Sequence, residues 1–293
     1  MHRTGRLQSL IIQIFWLLLL LPVPGIISAQ DSCDLKFISH LVNRGDYREA
    51  LYLIDSSDCR HVKTNDSLNY FKGWSLYSLK ELDASAQCLL KTHPASVFYL
   101  KSHFFAACNY THLGKFDEAI RTLGELQLHS AQDSAMRYFQ LAGISLLQNN
   151  LPAFREWMDK TDRNQYEITE PADILQKLSG EIQSHKTKSP VLAGFLSAVL
   201  PGSGKLYAGK KGEAVSAFLS TVGLGLVACE NVSRRGCKDV QTILFGTAFA
   251  VAYSANIYGA VLSVRILESE YHENVKNTIL FNLHIPLRNS YDR

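Results

Sequence analysis

Apolar and polar positions divide the chain into three regimes, each with its own expected structure. Near the start, Ile11 to Leu21 is an almost unbroken apolar run. From about residue 33 to residue 184, apolar residues recur at helical spacing and are interrupted by short polar turns, the pattern of amphipathic helices packed against one another. From Ser189 onward, three uncharged stretches follow, Ser189 to Gly204, Ala214 to Cys229 and Val240 to Val264. The middle regime carries a repeat. Gly45-Asp46-Tyr47-Arg48-Glu49-Ala50 and Gly114-Lys115-Phe116-Asp117-Glu118-Ala119 are its clearest copies, with fainter ones at Glu81-Leu82-Asp83-Ala84-Ser85 and Asn150-Leu151-Pro152-Ala153-Phe154. The bulky markers Tyr47, Leu82, Phe116 and Leu151 are 35, 34 and 35 residues apart. A small residue, Gly73, Ala107 or Ala142, stands nine positions before each of the last three, where it lets two antiparallel helices approach closely. Gly45 and Gly114 precede their markers at the place where a helix ends in the left-handed conformation.

A helix, a tight turn and a second helix in 34 residues resembles the tetratricopeptide repeat family. The resemblance covers about residues 33 to 160 and implies an all-α, tetratricopeptide-like helical-hairpin solenoid with a concave binding face. Three departures stand out: Ile38 at the small-residue position of the first copy, Lys80 in place of the turn glycine in the second, and Phe154 where the pattern wants alanine in the fourth. The segment from Pro171 to Ser184 reads as a capping helix with a polar outer face, so that a repeat domain spans residues 33–185.

Beyond the basic linker Ser184-His185-Lys186-Thr187-Lys188, the uncharged stretches predict a membrane domain over 189–266. Val240 to Val264 is long enough to span a bilayer, Ala214 to Cys229 is borderline, and Ser189 to Gly204 is short. Small residues at four-residue spacing (Gly246 with Ala250, Ala248 with Ala252, Ala255 with Gly259) suit helix packing in lipid. Pro201-Gly202-Ser203-Gly204-Lys205-Leu206-Tyr207-Ala208-Gly209 resembles the P-G-x-G-x-x-Y-x-G motif of small bacterial membrane-hairpin families, as does Asn256-Ile257-Tyr258-Gly259-Ala260. The resemblance implies a bacterial envelope protein with a transmembrane helical hairpin hinged at Pro201, Gly202, Gly204, Tyr207 and Gly209, and no established catalytic residues. Lys205, Lys210 and Lys211 on one loop balance Arg234, Arg235 and Lys238 on the next, so loop charge does not set the orientation. Three crossings are favoured over a two-crossing hairpin with a re-entrant first stretch. Residues 267–293 form a polar tail, in which alternation from Phe281 onward suggests a short strand or a partner-binding segment.

The N-terminus predicts export. His2, Arg3 and Arg6, the apolar run, the breakers Pro22, Pro24 and Gly25, and Ile27-Ser28-Ala29 follow the order of a secretory signal peptide over residues 1–29; an uncleaved signal anchor stays open. Export permits disulfides among Cys33, Cys59, Cys88, Cys108, Cys229 and Cys237, and Cys229 with Cys237 is the best local pair across a short polar loop. The net charge of +3 is spread along the chain and argues against nucleic acid as a partner.

Chemistry is harder to find. Gly202-Ser203-Gly204-Lys205 has the end of a phosphate loop, but Val199 and Leu206 replace its first glycine and its hydroxyl. His272-Glu273-Asn274-Val275-Lys276 lacks the second histidine of a zinc protease helix. No cofactor, metal or catalytic residue is nominated. The glycosylation triplets at Asn65, Asn109 and Asn231 arise readily by chance. The expectation is therefore a membrane-anchored scaffold of the bacterial cell envelope that contacts lipid. It would bind a peptide or protein through first-helix aromatics, candidates being Tyr70, Tyr77, Phe104, Tyr110 and Tyr138. The alternative is a small transport or insertion factor with the repeats as its receptor.

Overall fold

The computed structural model describes residues 34–56, 66–128, 130–163 and 165–291. The signal peptide, Cys33, Cys59 and Asn65 lie outside the described residues. Thirteen helices and no strands occur among the described residues, so the chain is all-α. Its contacts group into two units, divided between Leu113 and Gly114.

The first unit holds α1 (Leu35–Arg44), α2 (Tyr47–Ile54), α3 (Asp66–Ser78), α4 (Leu82–Leu89) and α5 (Tyr99–His112). The second holds α6 (Phe116–Gly124), α7 (Ala131–Leu147), α8 (Leu151–Lys160), α9 (Tyr166–Ser184), α10 (Pro190–Val199), α11 (Ser203–Tyr207), α12 (Lys211–Arg235) and α13 (Val240–Tyr291). Each of the four repeat markers, Tyr47, Leu82, Phe116 and Leu151, is the first residue of a helix. The turns before them are alike. Gly45 and Gly114 have φ of +86° and +74°, and where the sequence departs from glycine, Lys80 and Asn149 take φ of +68° and +56°. In the turns at Gly45, Lys80 and Asn149 the left-handed residue and its successor close the helix in the same way. At Lys80, for example, the Lys80 N–H donates to the Tyr77 carbonyl at 3.0 Å and the Glu81 N–H to that of Leu76 at 2.9 Å.

Close packing explains the small residue of the second copy. A Cβ on Gly73 would come within 2.6 Å of the Leu89 side chain. Ser85 then donates to the Gly73 carbonyl at 2.6 Å, and the Asn109 amide donates to Ser85 Oγ at 2.9 Å. Asn109 is fully buried in this network, which leaves no room for a glycan. Burial alone pushes the neighbouring Cys108 thiol up to about 12, so it stays protonated.

In the second unit α8 packs on α7, and the last turns of α13 pack on α7 and α9. Ile279, Leu283 and Leu287 recur every fourth residue and are at most 1% exposed, each worth roughly 1.5–3 kcal/mol on burial. Leu283 lies where a side chain on Gly143 would be: a Cβ there would be 2.3 Å from Leu283 Cδ2. Gln140 Nε2 donates to the Leu283 carbonyl at 2.8 Å, and the Tyr291 hydroxyl donates to Asp133 Oδ1 at 2.5 Å.

Several expectations are revised. The tail is neither a strand nor a free segment but the end of a 52-residue helix, because the four-residue spacing of Ile279, Leu283 and Leu287 outweighs the alternation read from Phe281. The expected capping helix starts five residues before Pro171, at Tyr166, and α13 covers it, so it does not present a wholly polar outer face. Cys229 sits within α12, which stays helical to Arg235, and Cys229 and Cys237 are both free thiols, so the loop expected to be bridged does not form.

Lys80 generates a prediction. A non-glycine left-handed residue costs about 1–2 kcal/mol, partly offset by the chain entropy a glycine would lose. Lys80→Gly should therefore stabilise the first unit by about 0.5–1 kcal/mol, read as a higher midpoint in thermal unfolding. An unchanged or lower midpoint would show that the turn carries no strain.

Candidate functional site

The P-G-x-G-x-x-Y-x-G segment forms α11 and the turns on either side of it, and the structure gives most of its positions a task. Leu200 is extended (φ −135°, ψ 112°), as a residue before proline must be, so α10 stops there. Gly202 follows with φ +85°; its N–H donates to Asn256 Oδ1 at 3.0 Å, and a Cβ on it would meet the Ala214 carbonyl oxygen of α12 at 2.3 Å. Gly204 is as constrained, for its N–H donates to Ser197 Oγ at 3.0 Å and a Cβ would lie 2.0 Å from the Ala193 carbonyl oxygen. Gly209 closes α11 at φ +88°, the Lys210 N–H donating to the Lys205 carbonyl at 3.0 Å.

Asn256 is the other half of the clamp. Its amide accepts from Gly202 and donates from Nδ2 to the Ser197 carbonyl at 3.2 Å, and one turn earlier the Tyr253 hydroxyl donates to the Ala198 carbonyl. The C-terminal carbonyls of α10, orphaned where the helix ends, are thus met by side chains of α13. Ala193, Ala208, Ala260 and Val264 fill the contact with small side chains, and Tyr207 packs against them. Tyr207 also holds the linker: the Ser189 N–H donates to its hydroxyl at 3.1 Å, and Lys188 Nζ donates to its carbonyl at 3.0 Å.

The linker is tied to α13 as well. His185 Nε2 lies 2.9 Å from Glu268 Oε2, and the Lys188 N–H donates to Glu268 Oε1 at 3.0 Å. His185 stacks on Tyr271 with ring centroids 3.7 Å apart, and His272 lies edge-on to both. These bonds, that of His185 first, hold the Glu268 carboxyl below its ordinary 4.5, while burial and the nearby Glu181 and Glu268 raise Tyr271.

Beside the clamp lies a groove of about 520 Å³ between α11, α12 and α13. Lys205 and Glu213 stand at one end, Ser216, Ser220 and Thr221 line one wall, and Ala252, Ala255 and Asn256 line the other. The outer faces of α10, α12 and α13 are apolar and bare: Val191, Phe195, Val215, Leu219, Leu226, Ile243, Leu244 and Val251 are each between 57% and 80% exposed. The helices α12 and α13 are both long and apolar enough to cross a membrane.

The aromatic residues expected to bind a partner are not equivalent. Phe104 is fully buried and Tyr70 is 6% exposed, stacked on Phe98 at 4.3 Å, so both belong to the core of the first unit and offer no face to a partner. Tyr77, Tyr110 and Tyr138 are half-buried; Tyr138 stacks on Trp157 at 5.9 Å. Among the described residues no group of three or more His, Cys, Asp or Glu could hold a metal ion. Lys205, the lysine of the phosphate-loop lookalike, is directed to Glu213 at 3.6 Å. Ser197, Glu213 and Glu268 were not singled out by sequence reasoning; a polar side chain inside or flanking an apolar stretch is the signal that would have found them.

Two outcomes follow. Asn256→Ala removes two hydrogen bonds and strands the Gly202 N–H, costing roughly 2–3 kcal/mol, whereas Tyr258→Ala, at a 69% exposed position, costs little; thermal unfolding in detergent separates them. The Glu268 carboxyl is held lower when folded than when unfolded, so its contribution is complete above 4.5 and is lost as pH falls through the lowered value. Proteolysis within the linker 185–188 should therefore rise only under acid conditions, and in Glu268→Gln it should be high already at neutral pH.

Comparison with family models, with curated proteins and with solved structures gives no match, so the function is read from the geometry alone.

Proposed function

We propose that the chain is a membrane-anchored binding scaffold of a bacterial envelope, with tetratricopeptide-type helix pairs on the exported side that take a peptide or protein partner. The observation that carries this reading is the continuity of α13. One helix, about 78 Å long at 1.5 Å per residue, contributes an apolar span at Val240 to Val264 and then seats Ile279, Leu283 and Leu287 against α7 and α9. A rigid rod of this kind joins α7 and α9 to the apolar span instead of leaving them on a loose tether.

The same packing bears on topology. The helices α7 and α9 precede the membrane segments and the end of α13 follows them, so both lie on one side of any bilayer that α12 and α13 cross. That requires an even number of crossings. The helix α10, ten residues and about 15 Å long, covers half of a hydrocarbon core of about 30 Å. We therefore replace the three-crossing arrangement with a two-crossing hairpin and a re-entrant α10 whose end groups are met by Asn256 and Tyr253. With the repeats exported, Cys229 and Cys237 face the reducing cytoplasm, in keeping with their free thiols. A second reading, a small transport or insertion factor, has one observation in its favour, the polar groove between otherwise apolar helices.

Thiol labelling in intact cells tests the orientation: a membrane-impermeant maleimide should modify Cys229 and Cys237 only after the inner membrane is opened, and labelling of these two in sealed cells would refute a hairpin with the repeats exported. Partner binding is tested in the full chain, since residues 31–185 alone would uncover the seat of Leu283. Photo-crosslinkers at Tyr77, Tyr110 and Tyr138 should yield one defined protein adduct and a crosslinker at buried Phe104 none. An equal yield at Phe104, or no adduct anywhere, would count against a repeat-borne site.

A further inference from the structure

The groove beside the clamp is not explained by anchoring. A hairpin that only anchors would bring its small residues into contact, yet α12 and α13 leave about 520 Å³ between them along Ser216, Ser220, Ala252 and Ala255. Thr221 is 2% exposed and lines this space, which places a hydroxyl on the wall among its small side chains. At the mouth, Lys205 Nζ lies 3.6 Å from Glu213 Oε2 and Lys210 Nζ 3.5 Å from Glu213 Oε1. These are loose ion pairs, longer than the roughly 2.7–2.9 Å of a charge-assisted hydrogen bond, so the mouth presents both signs of charge and a group carrying both can exchange partners with them.

We propose that this groove binds the headgroup of an aminophospholipid, a phosphodiester joined to a primary ammonium. The proposal rests on the membrane reading above. Lys205 receives the phosphate, with the Ser216 hydroxyl as a second donor; Glu213 accepts from the ammonium; the Thr221 hydroxyl, one turn deeper, donates to an ester carbonyl at the start of an acyl chain. The groove is open to its surroundings, and in the proposed complex the acyl chains lie along the bare apolar faces of α12 and α13. An anionic lipid without an ammonium leaves Glu213 facing two negative oxygens and is disfavoured.

The full chain is reconstituted into vesicles containing equal parts of phosphatidylethanolamine and phosphatidylglycerol, re-extracted in mild detergent, and its retained lipid identified by native mass spectrometry. Retained phosphatidylethanolamine should exceed phosphatidylglycerol by about threefold, the selectivity expected of one semi-exposed charge pair. Glu213→Gln should abolish that preference while lipid is still retained. Lys205→Met should lower retention of both lipids, and Thr221→Val should weaken retention without changing the preference. Equal retention by the unaltered chain, or a preference that survives Glu213→Gln, overturns the proposal. Alkaline carbonate extraction of the same vesicles separates the two levels. Protein that stays in the membrane without lipid preference removes the headgroup site alone, and protein released by carbonate removes the membrane reading together with it.

Discussion

Leu283 occupies the space that glycine leaves open at position 143, and the arrangement of the second unit depends on that contact. The absence of a side chain at Gly143 allows α13 to approach α7 until Leu283 is 1% exposed and its carbonyl is within reach of Gln140. Because Leu283 belongs to the same unbroken helix as Val240 to Val264, the contact also settles where the apolar hairpin can stand. The clamp at Asn256 is the complementary constraint. It folds α10 and α11 back on α13 and supplies the hydrogen bonds that a helix ending at Leu200 leaves unmade. The linker 185–189, bonded at once to Glu268 and Tyr207, lies between these two constraints and has little freedom of its own.

Glycine placement in this region is better explained by backbone geometry than by ligand chemistry. Gly202 and Gly204 are excluded from carrying a Cβ by the carbonyl oxygens of Ala214 and Ala193, and Gly202 and Gly209 take positive φ. The motif therefore specifies a packed turn. What the clamp does not use is Lys205, which pairs with Glu213 at the mouth of the groove. Because the glycines are accounted for by packing, the groove with its Lys205–Glu213 pair, and not the glycines, carries the chemical proposal.

The sequence was legible wherever a local rule decided the structure. Tyr47, Leu82, Phe116 and Leu151 each open a helix because the turn before them is set by nearest-neighbour geometry, and Lys80 and Asn149 adopt the left-handed state that Gly45 and Gly114 take at no cost. The glycines of the motif were legible for the same reason. What could not be read depended on distant pairings. Nothing near Phe104 distinguishes a core ring from an exposed one until α5 is packed, and Asn256 gains its role only when α10 turns back toward it. The tail was misread because Phe281, Leu283, Ile285 and Leu287 satisfy a period of two while Ile279, Leu283 and Leu287 satisfy a helical one, and only the seat on α7 decides between them.

A cysteine pair at Gly143→Cys and Leu283→Cys is the most direct test that one helix both crosses the bilayer and seats on α7. The two side chains adjoin in the folded chain, within the reach of a disulfide. Mild oxidation of membranes carrying the double variant should give a rapid internal crosslink, seen as a mobility shift reversed by reductant, and neither single variant should show it. If no crosslink forms while the protein remains in the membrane, the end of α13 is not docked on α7, and the even-crossing hairpin loses its basis.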